Sequence, residues 1–79
     1  MGKVRPQQAE CWQRRFGDQL RLLRTEQRVS QMTLAMNAGL DPTYISGVER
    51  GRRNIGLVNI HVLARALGVE VRDFFPPEG

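Results

Sequence analysis

The chain has 79 residues and a formal net charge of +4. One domain is all that this length supports, and its core alone is marginal, so a disulfide, a metal or a partner subunit commonly supplies the rest. Cys11 is the only cysteine, which excludes an internal disulfide, and Cys11 with His61 cannot make a four-ligand zinc site.

No metal or other cofactor is therefore expected, and a second copy of the chain is the remaining candidate. All but Lys3 of the 12 basic residues are arginines. Arginine forks bind phosphate bidentately, which suits nucleic acid, although a plain solubilising surface has the same composition. No apolar run approaches the roughly 20 residues of a membrane span, so no membrane partner is expected. A free cysteine and no recognisable export signal fit a reducing cytoplasm.

No alternating pattern of strand length occurs, and the chain reads as all-α. The spacing predicts a first helix over 6–27, with Pro6 in its first turn. Ala9, Trp12, Phe16, Leu20 and Leu23 recur at intervals of three and four and form one apolar stripe. Gly17 interrupts it at a cost of roughly 1 kcal/mol against alanine, as expected where another helix comes close. Ser30 caps a second helix over 31–38, which Gly39 ends. Asp41 caps a third, starting at Pro42 and running to Arg50 before Gly51. A fourth runs over 57–67 with Ile60, Leu63, Ala64 and Leu67 inward, closed by Gly68. A last short turn over 71–75 is stopped by Pro76 and Pro77. The domain reading is an N-terminal extension over 1–15, partly helical and joined to helix one, a body over 16–75, and a frayed tail over 76–79.

Residues 31–50 carry the function. Two short helices crossing through a tight turn need a small residue where they touch, and Ala35 supplies it. Gly39 can take the positive φ of the turn. Ile45 and Val48, three apart, give the second helix of the pair an inward face. Leu34, Ala38 and Leu40 complete the apolar set.

The run with Ser30-Gln31, Leu34-Ala35, Gly39, Ile45-Ser46 and Glu49-Arg50-Gly51 resembles the Cro/repressor-type (XRE-like) helix-turn-helix regulators. The similarity extends back to Phe16-Gly17, Leu20, Leu23 and Arg24, and forward to Leu63-Ala64, Ala66 to Val69 and Phe74-Phe75. Leu40-Asp41, Thr43 to Arg50 and Arg53-Asn54 are also similar to the controller proteins of restriction–modification systems. The resemblance implies a lambda-repressor-like all-α bundle of about five helices, with the third in the major groove of double-stranded DNA. Asp41, Pro42, Thr43, Ser46, Gly47 and Arg50 are then the outward, base-reading positions. The controllers carry an arginine where this chain has Pro42, so a different operator is expected, part of it read through DNA shape. Gln31, Tyr44, Arg52, Arg53 and Asn54, with Arg28 and Arg21 behind them, are the expected phosphate contacts. The family pattern pairs Glu49 with Arg24 as a structural bridge between helices three and one.

Val71, Phe74 and Phe75 either close the monomer core over helix four or form a dimer interface. A homodimer fits a palindromic operator, and the implied function is an autoregulatory transcriptional regulator with RNA polymerase as a further candidate partner. The alternative is an antitoxin or other protein-interaction module on the same fold. No Gly-rich phosphate loop, metal cluster or nucleophile–base pair is present, so neither an enzyme nor a small-molecule site is expected. Trp12 reads as core or as cover for the N-terminal turn, Cys11 as inert, and His61 as structural. Met32 and Met36 read as packing or surface of helix two.

Overall fold

In the computed structural model, which describes residues 5–77, α1 spans Pro6–Glu26, α2 Gln31–Ala38, α3 Pro42–Glu49 and α4 Leu57–Leu67. A 3-10 turn follows at Val71–Phe74. Among the described residues the fold is all-α as expected, but there are four α-helices and not about five. The last segment stays a single turn because two consecutive prolines follow Phe75, and proline cannot continue a helix. Gln27 and Arg50, expected inside helices one and three, are caps just outside them. The extension expected over 1–15 is helical from Pro6 and continuous with α1. Residues 1–4, and residues 78–79 of the tail, lie outside the described residues.

Local chemistry sets the helix starts. The Ser30 hydroxyl accepts from the Thr33 N–H at 3.0 Å, and the Asp41 carboxylate accepts from the Thr43 N–H at 2.7 Å. Each replaces a backbone partner that the first turn lacks. The helix ends share one device. In each, one residue at the end donates to the carbonyl three back, and its successor to the carbonyl five back. The device needs a left-handed residue, which is Gly39, Gly51 and Gly68 after α2, α3 and α4. After α1 it is Arg28, with φ 58°, where a side chain costs about 1 kcal/mol.

The core joins Phe16 and Leu20 of α1, Leu34 and Ala35 of α2, and Ile45 and Val48 of α3. Leu63, Ala64 and Leu67 of α4 complete it, and Phe74 closes one end with its ring 5.0 Å from that of Phe16. The α1 stripe is inward from Phe16 onward, but Trp12 is 54% exposed. It lies along a groove with Phe16 and Phe75 without being enclosed. Gly17 sits where α3 ends against α1. A Cβ there would lie 2.3 Å from the Val48 carbonyl oxygen and 2.7 Å from that of Glu49. The glycine expected to mark a close approach does so.

Candidate nucleic-acid interface

α2 and α3 are joined by Gly39, Leu40 and Asp41, and Ala35 is fully buried within the core they share. A larger residue at 35 would push the pair apart, and the left-handed Gly39 lets the chain reverse within three residues. α3 is held from a second side by α1. The Arg24 guanidinium grips the Glu49 carboxylate in a fork, Nε to Oε2 at 2.6 Å and Nη2 to Oε1 at 3.0 Å. Its third nitrogen, Nη1, donates to the Val29 carbonyl at 2.7 Å. Gln31 at the start of α2 donates from Nε2 to Glu49 Oε1 at 3.0 Å. One buried carboxylate thus ties together the end of α1, the α1–α2 corner, the start of α2 and the end of α3. The hydrogen bond to Glu49 raises the Arg24 pKa above the ordinary arginine value, burial opposes it, and the charge of Glu49 adds to the rise. A raised cation pKa means that the stability contributed by Arg24 is fully present below the ordinary arginine value and is lost as pH climbs through the raised one.

On the outer side of α3, Thr43 and Arg50 are exposed, and Pro42 and Ser46 half-buried. Asp41 is exposed too, with its carboxylate occupied in capping. Gly47 departs from its expected outward place. It is buried, and the space of its missing side chain is filled by Arg53, whose Cγ would lie 2.8 Å from a Cβ at 47. From there the Arg53 guanidinium lies 5.8 Å from the centre of the Tyr44 ring. The Tyr44 hydroxyl accepts from Asn59 Nδ2 at 3.1 Å. The loop arginine is thereby laid across α3 instead of standing free of it.

Arg52 and Asn54 are exposed in the same loop, and Arg28 at the α1–α2 corner. Arg21 is exposed on α1, one turn from Gly17 and Arg24, which meet the end of α3. The side chain of Gln31 gives one Nε2 hydrogen to Glu49, which leaves its second amide hydrogen and its backbone N–H to meet a phosphate. Phe74 is corrected from interface to core, since it is 1% exposed and stacked on Phe16. Phe75 is exposed and Val71 half-buried. Sequence reasoning missed Asn59, because its link to Tyr44 spans 15 residues and has no local signature. It also passed over Leu57 and Val58, which are 71% and 75% exposed on α4. The signal was present, since both fall off the inward stripe Ile60–Leu63–Ala64–Leu67.

A family model described as a helix-turn-helix domain matches residues 15–74. This chain belongs to the helix-turn-helix family. It is a DNA-binding transcriptional regulator. The helix-turn-helix chain is 40% identical over 62 residues to the control protein C.MunI of a Mycoplasma species, covering 77% of this chain and 84% of that protein. The restriction-modification controller protein C.AhdI from Aeromonas hydrophila has the same fold, with a TM-score of 0.79 and 54% identity over 80% of this chain and 96% of that one. The controller C.Esp1396I, solved as a tetramer with its natural 35 base-pair operator, superposes with a TM-score of 0.75 at 31% identity, over 81% of this chain and 84% of that one. These relatives of the helix-turn-helix protein are regulators and not enzymes. Among the described residues no helix is long and apolar enough to cross a membrane.

Proposed function

We propose that this regulator is a restriction–modification controller that acts as a homodimer on a palindromic operator at its own promoter. The carrying observation is the outer side of α3, exposed at Thr43 and Arg50 and backed by the Arg24–Glu49–Gln31 network. With α3 in the major groove, the Thr43 and Ser46 hydroxyls and the Arg50 guanidinium meet base edges. Tyr44, Arg52, Arg53, Asn54 and the backbone N–H of Gln31 meet phosphates and set the register. Dimerisation uses the exposed apolar face of α4, Leu57, Val58 and the half-buried Val62, with Val71 beside it next to His61 and Arg65. A symmetric pair of this kind sets the two recognition helices about 34 Å apart, one turn of DNA. A regulator bound at a promoter acts on RNA polymerase, which is the protein partner this reading entails. The control proteins named above support the controller assignment, and the operator complex supports the mode of binding.

The test is selection of duplexes from a random library, followed by sedimentation of the protein alone and with the selected duplex. Enrichment of an inverted repeat with half-sites one turn apart, bound by two copies, is the expected result. Recovery of unrelated sequences, or a single half-site bound by one copy, would overturn it.

A further inference from the structure

Arg28 is the only non-glycine among the described residues with a positive φ. The turn it closes does not need it. Its two hydrogen bonds, Arg28 N–H to the Thr25 carbonyl and Val29 N–H to the Arg24 carbonyl, are both made by backbone. The same pair of bonds closes α2, α3 and α4 around glycine, so glycine at 28 would make the turn without strain. Nor does folding reward the side chain. It is exposed and has no hydrogen bond, ion pair or ring contact with the other described residues. The chain therefore carries a strained arginine where stability favours glycine.

We propose that Arg28 is a DNA-backbone contact, and that its charge is what the strain is kept for. This rests on the DNA-binding reading given above. The position of residue 28 is well defined. The carbonyl of the next residue, Val29, is held by Arg24 at 2.7 Å, and the same guanidinium holds Glu49 at the end of α3. Gln31, three residues on, holds Glu49 as well. The corner bearing Arg28 is thus anchored to the end of the recognition helix, where exposed Arg50 and Arg52 continue the basic rim. A long guanidinium on a fixed backbone at this rim suits a phosphate, which its planar fork meets with two parallel hydrogen bonds. The contact is sequence-independent and adds to affinity and registration, not to base choice.

The test compares Arg28→Gly, which relieves the backbone and removes the charge, with Arg28→Asn, which tolerates the left-handed conformation and removes the charge alone. Binding to a fluorescein-labelled duplex is followed by anisotropy over a range of salt concentrations. Each phosphate contact contributes about 0.9 to the slope of log K against log salt, so both variants should lose roughly 1.8 per dimer. Arg28→Gly should also melt roughly 4–8 °C higher than the parent protein. A slope unchanged in either variant overturns the phosphate contact. An Arg28→Gly protein no more stable than the parent overturns the premise that the arginine is kept at a cost. A parent protein that binds no duplex in a salt-dependent way would sink the DNA-binding reading and this inference together, an outcome distinct from flat variants of a binding parent.

Discussion

Gly17→Ala separates tertiary geometry from helix propensity, because the two predict opposite signs. In an isolated helix the change stabilises by about 1 kcal/mol, since alanine loses less backbone entropy. In this fold the new Cβ would stand 2.3 Å from the Val48 carbonyl oxygen, 2.7 Å from the Glu49 carbonyl oxygen and 2.9 Å from the Glu49 carbonyl carbon. All three are backbone atoms and cannot rotate aside. α1 and α3 must instead part by roughly 1 Å to restore an ordinary contact, and close-packed interiors resist such shifts. The parting stretches the Arg24–Glu49 fork, now at 2.6 and 3.0 Å, and opens a gap beside Phe16 and Val48. Overpacking of this kind costs about 1–3 kcal/mol, with the upper end appropriate where backbone meets backbone. Setting about 3 against a propensity gain of about 1 leaves a net loss near 2 kcal/mol. For a domain of this size that lowers the melting temperature by roughly 8–16 °C. Thermal melts followed by circular dichroism at one fixed protein concentration measure it, since a dimer's stability depends on concentration. Gly17→Ser should melt no higher than Gly17→Ala. An alanine variant that melts at or above the parent temperature would refute the close approach of α1 and α3.

Glu49→Ala leaves the buried Arg24 charge and the Gln31 amide without their acceptor and should cost about 3–5 kcal/mol in urea unfolding. Glu49→Gln, which keeps one acceptor oxygen, should cost less, and neither should change the selected operator. Altered base preference with unchanged stability would contradict the structural role. Gly47→Ala should leave the melting temperature within a few degrees, because its Cβ meets only the flexible Arg53 stem at 2.8 Å. It should weaken DNA binding by displacing Arg53, and combining it with Arg53→Ala should add little, so additive losses would count against a shared mechanism. With only Thr43, Ser46 and Arg50 at base edges, part of the operator preference should come from base pairs that no side chain reaches. Systematic substitution across the selected operator checks this. Losses of about 1–3 kcal/mol confined to contacted pairs would rule it out.

What the sequence made legible was what short-range chemistry decides. Ser30, Gly39 and the Asp41-Pro42 pair mark helix boundaries within a residue or two, because capping is settled by atoms close in sequence. The inward faces of α2, α3 and α4 followed from spacing for the same reason. Helical period gives the direction of Trp12 but not whether anything covers that direction, and it remains exposed. In the 3-10 turn no period separates Phe74 from Phe75. One fills the end of the core and its neighbour is 55% exposed, although both rings lie against Phe16 on a distant helix. The loop between α3 and α4 hid the most. Arg53 reaches back across six positions to lie on Gly47, so a glycine that reads as an open groove position is occupied space.

The network around Glu49 also decides which groups remain for DNA. Asp41 and Gln31 both sit beside the recognition helix and both carry side chains able to read bases or phosphates. In the fold the Asp41 carboxylate is committed to the Thr43 N–H and the Gln31 amide to Glu49. Breaking either bond to engage DNA would uncap α3, at about 0.5–2 kcal/mol, or leave Glu49 Oε1 to Arg24 alone, at about 0.5–1.5 kcal/mol. That is comparable to the gain from one base contact, so the exchange yields nothing. On the proposed reading DNA is met chiefly by groups that folding does not use, namely the Thr43 and Ser46 hydroxyls and the exposed arginines Arg28, Arg50 and Arg52. Arg53 alone serves both ends, because its stem packs on α3 while its charged tip stays at the surface. That reading assigns stability and DNA affinity to largely separate atoms, so substitutions at the exposed arginines should weaken binding without unfolding the chain.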